Sequence, residues 1–180
     1  MDMTIKNMFI ESWKRYFKGA ELPILFYYTD KEDAADKAPV PTAHACMIGT
    51  LSKVKKGASL SFDAGSIGCF GGKRYTGFSQ EIMPSFEYFL SCGIPGKLEG
   101  ERYKKSPELV QEFIKTAPQF KAPAKNIVLK RFDMVGQSDN PDVVIFFAPP
   151  DVLAGLFTLA NFDEAGPNGV FCPFSVLMDS

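Results

Sequence analysis

The sequence predicts an α+β fold, a single domain with helices packed on a mixed sheet of about five strands. Three observations lead there. Segments with a helical repeat of apolar residues alternate along the chain with short apolar runs of strand length. No stretch is long and polar enough to link two domains, so residues 1–180 read as one globular unit. The composition, 46% apolar and 23% charged, is that of an ordinary globular protein and excludes a disordered tail, a collagen-like repeat or a membrane bundle. A chain of this size buries roughly 70% of the surface its unfolded form exposes, so it needs no disulfide or structural metal to fold.

Residues 4–18 place Ile5, Met8, Phe9, Trp13, Tyr16 and Phe17 on one face of a helix, with Lys6, Glu11, Lys14, Arg15 and Lys18 opposite. Gly19 ends it, and the apolar stripe reads as a face docked on the core. Pro23 to Tyr28 is a continuous apolar run, the mark of a buried strand. Residues 29–43 read as a polar loop. Residues 44–56 predict a helix with Met47, Leu51 and Val54 on one side, ended by Gly57, and Ser59 to Phe62 alternates like a half-buried strand. Residues 64–78 hold five glycines and read as a loop that is neither helix nor strand. Pro84 to Ser91 reads as a short helix with Gly93 past its end. Ser106, Pro107 and Glu108 supply a cap, a first-position proline and a first-turn acid for a helix over 107–117. Strands over 126–135 and 143–148, joined through Gln137 to Pro141, read as a hairpin. A helix then starts at Pro150 and runs to Asn161, and a last apolar strand runs from Val170 to Met178. That strand would leave a sheet edge for a second copy of the chain, so a homo-oligomer is expected.

Net charge is −1, which gives no overall field toward nucleic acid or an anionic membrane. No stretch reaches the ~20 apolar residues a membrane span needs. Neither nucleic acid nor membrane is expected as a partner. The N-terminal 17 residues lack the apolar run of a signal peptide, so a cytoplasmic location is expected, where thiols stay reduced. Charge is nonetheless uneven: residues 53–131 carry 14 basic and 7 acidic side chains, and residues 132–180 carry 7 acidic and no basic ones. Such a basic block marks either an anion site or a solvated face.

The glycine-rich segment 65–77 is where residues with chemistry meet. Cys69, Lys73, Arg74, Tyr75 and Thr76 lie among Gly65, Gly68, Gly71, Gly72 and Gly77. Glycines let backbone N–H groups face a ligand, and a neighbouring Lys and Arg add positive charge. Gly68, Gly71, Gly72, Lys73, Arg74 and Tyr75 are therefore candidate binding residues for a small anionic ligand. The segment is no Walker loop, because Ile67 stands where its first glycine belongs and Arg74 follows the lysine. Cys69 is also a candidate nucleophile, with loop N–H groups as oxyanion donors. Cys46, Cys69 and Cys172 are candidate ligands of a metal or iron–sulfur cluster, although no CxxC pair is present. His44, the one histidine, can serve such a site or pair with Cys69. Three readings stand: a small-ligand or metal-binding module built on Cys46, Cys69 and the glycine loop, an enzyme using Cys69, and a non-catalytic interaction protein.

Cys46 opening a helix, then Cys69-Phe70-Gly71-Gly72 followed by Tyr75 and Gly77, resembles the pattern of an archaeal and bacterial family, domain of unknown function 169. Phe89-Leu90-Ser91 with Gly93, Tyr103-Lys104-Lys105-Ser106, and Asp142 to Phe146 leading into Pro149 agree with it. The resemblance implies that Cys46, Cys69, Gly71, Gly72 and Gly77 fall on recurrent family positions, and it implies no activity. Cys92 falls on none. The family pattern continues past a strand like 170–178 into a further Gly-Cys segment, so the resemblance also implies a C-terminally shortened chain. Cys172 is then the only substitute for a third thiol ligand.

Overall fold

Alternation of side chains along an interior strand decides the architecture. In the computed structural model, which describes residues 1–163, 165 and 166, β1 (Ile24–Thr29) is an interior strand of a five-stranded open sheet, paired on both sides. The other strands are β2 (Asp36–Lys37), β3 (Leu60–Phe62), β4 (Asn126–Arg131) and β5 (Val143–Ile145), in the order β2-β3-β4-β1-β5. β1 runs antiparallel to both β4 and β5, β3 is antiparallel to β4, and β2 is parallel to β3. The sheet is therefore mixed, as the sequence predicts.

Successive residues of a strand face opposite sides. Ile24, Ile127, Leu129 and Phe62 face one side and form a core with Met47, Leu51 and Val54 of α2 (Met47–Lys55) and with Ile67. Leu25 faces the other side and packs with Phe132 and Val135 against Phe9 and Ile10 of α1 (Met3–Tyr16). A third, smaller cluster holds α4 (Phe86–Phe89) to α5 (Pro107–Thr116) through Leu90 and Val110. α6 (Pro150–Ala160) follows β5, and its Gly155 lies against Phe17.

Four expectations change. The 126–148 region is not a hairpin, because β1 sits between β4 and β5. The apolar run of β1 is buried on both faces and takes an interior place in the sheet, and the 132–142 connection crosses past it. That connection is pinned where the Tyr27 hydroxyl donates to Asp139 at 2.6 Å. Residues 36–37 of the supposed loop form a strand, held by backbone bonds to Ser59 and Ser61. α1 is rotated relative to the predicted face: Ile5, Met8 and Tyr16 are exposed, whereas Lys6 is buried with Trp13. The Lys6 ammonium donates to the carbonyls of Val135 (2.6 Å) and Asp133 (2.8 Å), partners that make a buried lysine tolerable. The glycine-rich segment, finally, contains a helix, α3 (Phe70–Tyr75). The predicted strand over 170–178, and Cys172 with it, lies outside the described residues.

Candidate functional site

Two thiols begin two helices. Cys46 is the cap residue of α2 and Cys69 that of α3. The Cys69 sulfur accepts the Gly72 N–H at 3.2 Å, taking the place of the usual Ser or Asp oxygen. Glycine disfavours helix, yet here close packing requires it. A Cβ on Gly72 would sit 2.8 Å from both the Cys69 sulfur and Ile67, and 3.2 Å from Met47. One on Gly68 would sit 2.7 Å from Pro41 and 3.0 Å from the Ala45 nitrogen. These glycines serve contact between the 45–47 and 68–72 segments. Gly77, at φ +77°, ends the helix in the left-handed region, with the Ala122 nitrogen 2.4 Å from where a Cβ would be.

Between α2, α3 and the sheet lies a cavity of about 680 Å³. Phe26, Leu129 and Ile145 of the sheet line it from one side, Met83, Pro84 and Phe89 close another, and both Cys46 and Cys69 lie on its wall. Ile48, Phe70 and Tyr75 line it and are also exposed, which makes them its rim. Exposed His44 contributes there too. No Asp, Glu, Lys or Arg is among the described residues that line it. The Thr76 hydroxyl is already engaged, donating to Gly72 O at 2.6 Å, so the wall is apolar apart from sulfur, the Tyr75 ring and the imidazole.

Cys46, Cys69, Gly71, Gly72 and Tyr75 thus meet at one cavity, as does His44. Lys73 and Arg74 do not line it; the Arg74 guanidinium donates outward to Gln80 O at 3.0 Å. Gly68 lies behind the wall, against Pro41 and Ala45. Among the described residues no group of three or more His, Cys, Asp or Glu side chains is placed to hold a metal ion. The residues missed from the sequence are the apolar lining ones, above all Phe26, Met47, Met83 and Ile145. Their types and spacing are those of ordinary core positions, and only the proline after Met83 carries a local signal, that of a helix start.

The family model for DUF169, described as uncharacterised ArCR, matches residues 15–176. The chain belongs to the DUF169 family. The match covers every residue of the cavity wall, so the two thiols and the pocket fall within the DUF169 region. No curated protein and no solved structure matches the chain. Among the described residues no helix is long and apolar enough to cross a membrane.

Proposed function

We propose that this DUF169 chain is a binding module for a small, neutral, largely apolar molecule held in the cavity beneath α2 and α3. One observation carries the reading: the cavity is of ligand size, about 680 Å³, and its described wall bears no charged side chain. Pockets of roughly 300–1,000 Å³ accommodate small organic ligands. An anion entering such a space would shed its hydration without meeting a cationic side chain on the described wall, which disfavours it strongly. The geometry therefore favours a neutral ligand over the anion suggested by Lys73 and Arg74, both of which lie away from the wall. Rim residues Ile48, Phe70 and Tyr75, 50%, 47% and 52% exposed, offer apolar and aromatic contact at the mouth.

The test is a titration of the full, reduced chain with N-phenyl-1-naphthylamine, a neutral fluorophore that brightens in apolar surroundings. Saturable binding of one probe per chain is expected. Ile48→Asp places a charge on a rim position that is 50% exposed, and circular dichroism checks that the variant is folded. It should weaken binding about tenfold or more, equivalent to at least ~1.4 kcal/mol. Absence of saturable binding, or equal affinity in the variant, overturns the reading.

A further inference from the structure

We propose that Cys46 and Cys69 act together as a paired-thiol site that captures a soft, thiol-seeking centre through two sulfur bonds. The centre is either a bare monovalent copper ion or trivalent arsenic carried on an apolar group. The inference extends the cavity reading, on which it rests only for the apolar group.

Three features of the fold support the pair. Ala45 and Met47, the neighbours of Cys46, lie against Gly68 and Gly72, which flank Cys69: the added Cβ positions fall 3.0 Å from the Ala45 nitrogen and 3.2 Å from the Met47 Cβ. The two cysteine-bearing segments therefore run side by side, and both thiols line one cavity. Gly72 leaves room for the Cys69 sulfur itself, only 2.8 Å from where a side chain would begin. Further donors on the same wall are soft or borderline, the thioethers of Met47 and Met83 and the His44 imidazole, beside the hydroxyls of Tyr75 and Thr76. Aspartate and glutamate are absent from the described wall, so hard ions such as magnesium or calcium find no oxygen set. Thiolate and thioether donors select cuprous copper and its soft relatives. A centre that needs only two protein ligands also fits the lack of a three-donor group among the described residues.

The chemistry balances without an oxidant. A trivalent arsenoxide, R–As=O, reacts with two thiols to form two As–S bonds, and its oxygen leaves as water with the two thiol protons. Arsenic stays trivalent. Cuprous ion forms two Cu–S bonds and releases thiol protons to solvent.

The experiment treats the full, reduced chain with phenylarsine oxide under argon, and separately with cuprous ion buffered by a chelator. Bound arsenic or copper is counted, and protected cysteines are mapped by iodoacetamide. One arsenic or one copper per chain is expected, with Cys46 and Cys69 protected and exposed Cys92 alkylated. Loss of the second bond removes the advantage of effective concentration, so Cys46→Ser or Cys69→Ser should weaken capture about 100-fold or more. Cys92→Ser should change nothing. Capture of arsenic alone assigns the site to an organic-borne centre, and capture of copper alone to the bare ion. Neither bound, binding that survives either serine substitution, or a bridge to Cys92 or Cys172 overturns the proposal. Circular dichroism and the Cys→Ala pair guard against misfolding. The naphthylamine titration, repeated on the Cys46→Ser/Cys69→Ser double variant, separates the two readings. Probe binding there, beside failed arsenic and copper capture by the native chain, removes the thiol pair and leaves the cavity. Arsenic capture without probe binding does the reverse.

Discussion

Asp139→Ala is expected to lower the thermal midpoint by roughly 6–20 °C. The value follows from loss of a buried charge pair at ~3–5 kcal/mol and from 2–4 °C per kcal/mol in a chain of this size. The Asp139 carboxylate lies 3.0 Å from the Lys130 ammonium, and their side chains are only 9% and 12% exposed. It also accepts the Tyr27 hydroxyl at 2.6 Å and the Gly136 N–H at 2.9 Å. Removing it leaves an ammonium, a phenol and an amide short of their acceptor, and frees the connection that crosses between β4 and β5. Burial alone would raise the carboxyl pKa, but the bonds from Tyr27, Gly136 and Lys130, with the Lys130 charge, outweigh it and hold the group below its ordinary value. The native state thus binds the proton less readily than the unfolded chain. Its contribution is complete above the unfolded pKa, about 4, and is lost as pH falls through the lower folded value. Calorimetry from pH 7 down to pH 3 is the assay, with Asp139→Asn compared with the native chain. The stability gap should narrow on acidification, and the pairwise subtraction cancels the parallel contribution of Asp133, held down by Arg131. A midpoint for Asp139→Ala within about 2 °C of native at pH 7 would refute the reasoning, since a buried, fully bonded charge cannot be removed so cheaply.

Three further outcomes are expected. Lys6→Met leaves the Val135 and Asp133 carbonyls without their shared donor; urea unfolding should show a loss of about 2–3 kcal/mol, and an unchanged stability would mean that these bonds contribute nothing. Gly100→Ala drives a Cβ to 2.2 Å from the Gly93 nitrogen and 2.4 Å from Ser91 O. Backbone on both sides cannot yield, so a loss of about 3 kcal/mol or more is expected by the same measurement. Tyr27, its pKa raised by burial and then by its bond to Asp139 and that group's charge, should stay protonated in an ultraviolet titration beyond the pH at which exposed tyrosines ionise; Asp139→Asn should bring its ionisation to lower pH.

Local signals carried most of the elements. Ser106-Pro107-Glu108 announces α5 because cap, proline and acid each act within one turn, and the Ser106 hydroxyl does accept the Leu109 N–H. Met47, Leu51 and Val54 foretell the buried side of α2 by spacing alone. What escaped depends on partners distant in sequence. The rotation of α1 turns on two carbonyls more than a hundred residues past Lys6. The placing of β1 between β4 and β5 is made by ladders to strands about a hundred residues on, and the Tyr27–Asp139 bond that pins the crossing connection is also long in range. The helix α3 was hidden because glycine's local penalty was visible and its packing role against Ala45 and Met47 was not. Of the site, Cys46, Cys69 and their glycines were legible as unusual residues; the cavity they border was not, since Phe26 or Ile145 looks the same in sequence whether it meets a neighbour or a void.

The interior position of β1 bears on how the chain is made. Its partners are β4 and β5, roughly a hundred residues further on, so the sheet closes only through long-range pairing, the slow class of folding topology. During synthesis at ~5–20 residues per second, the run Ile24 to Tyr28 emerges several seconds or more before Asn126 can meet it. Throughout that interval an apolar strand that ends up buried on both faces is an unpaired edge. Nascent chains cut short before Asn126 should therefore aggregate or depend on chaperones, while those extending through Ile145 can close the sheet and should not.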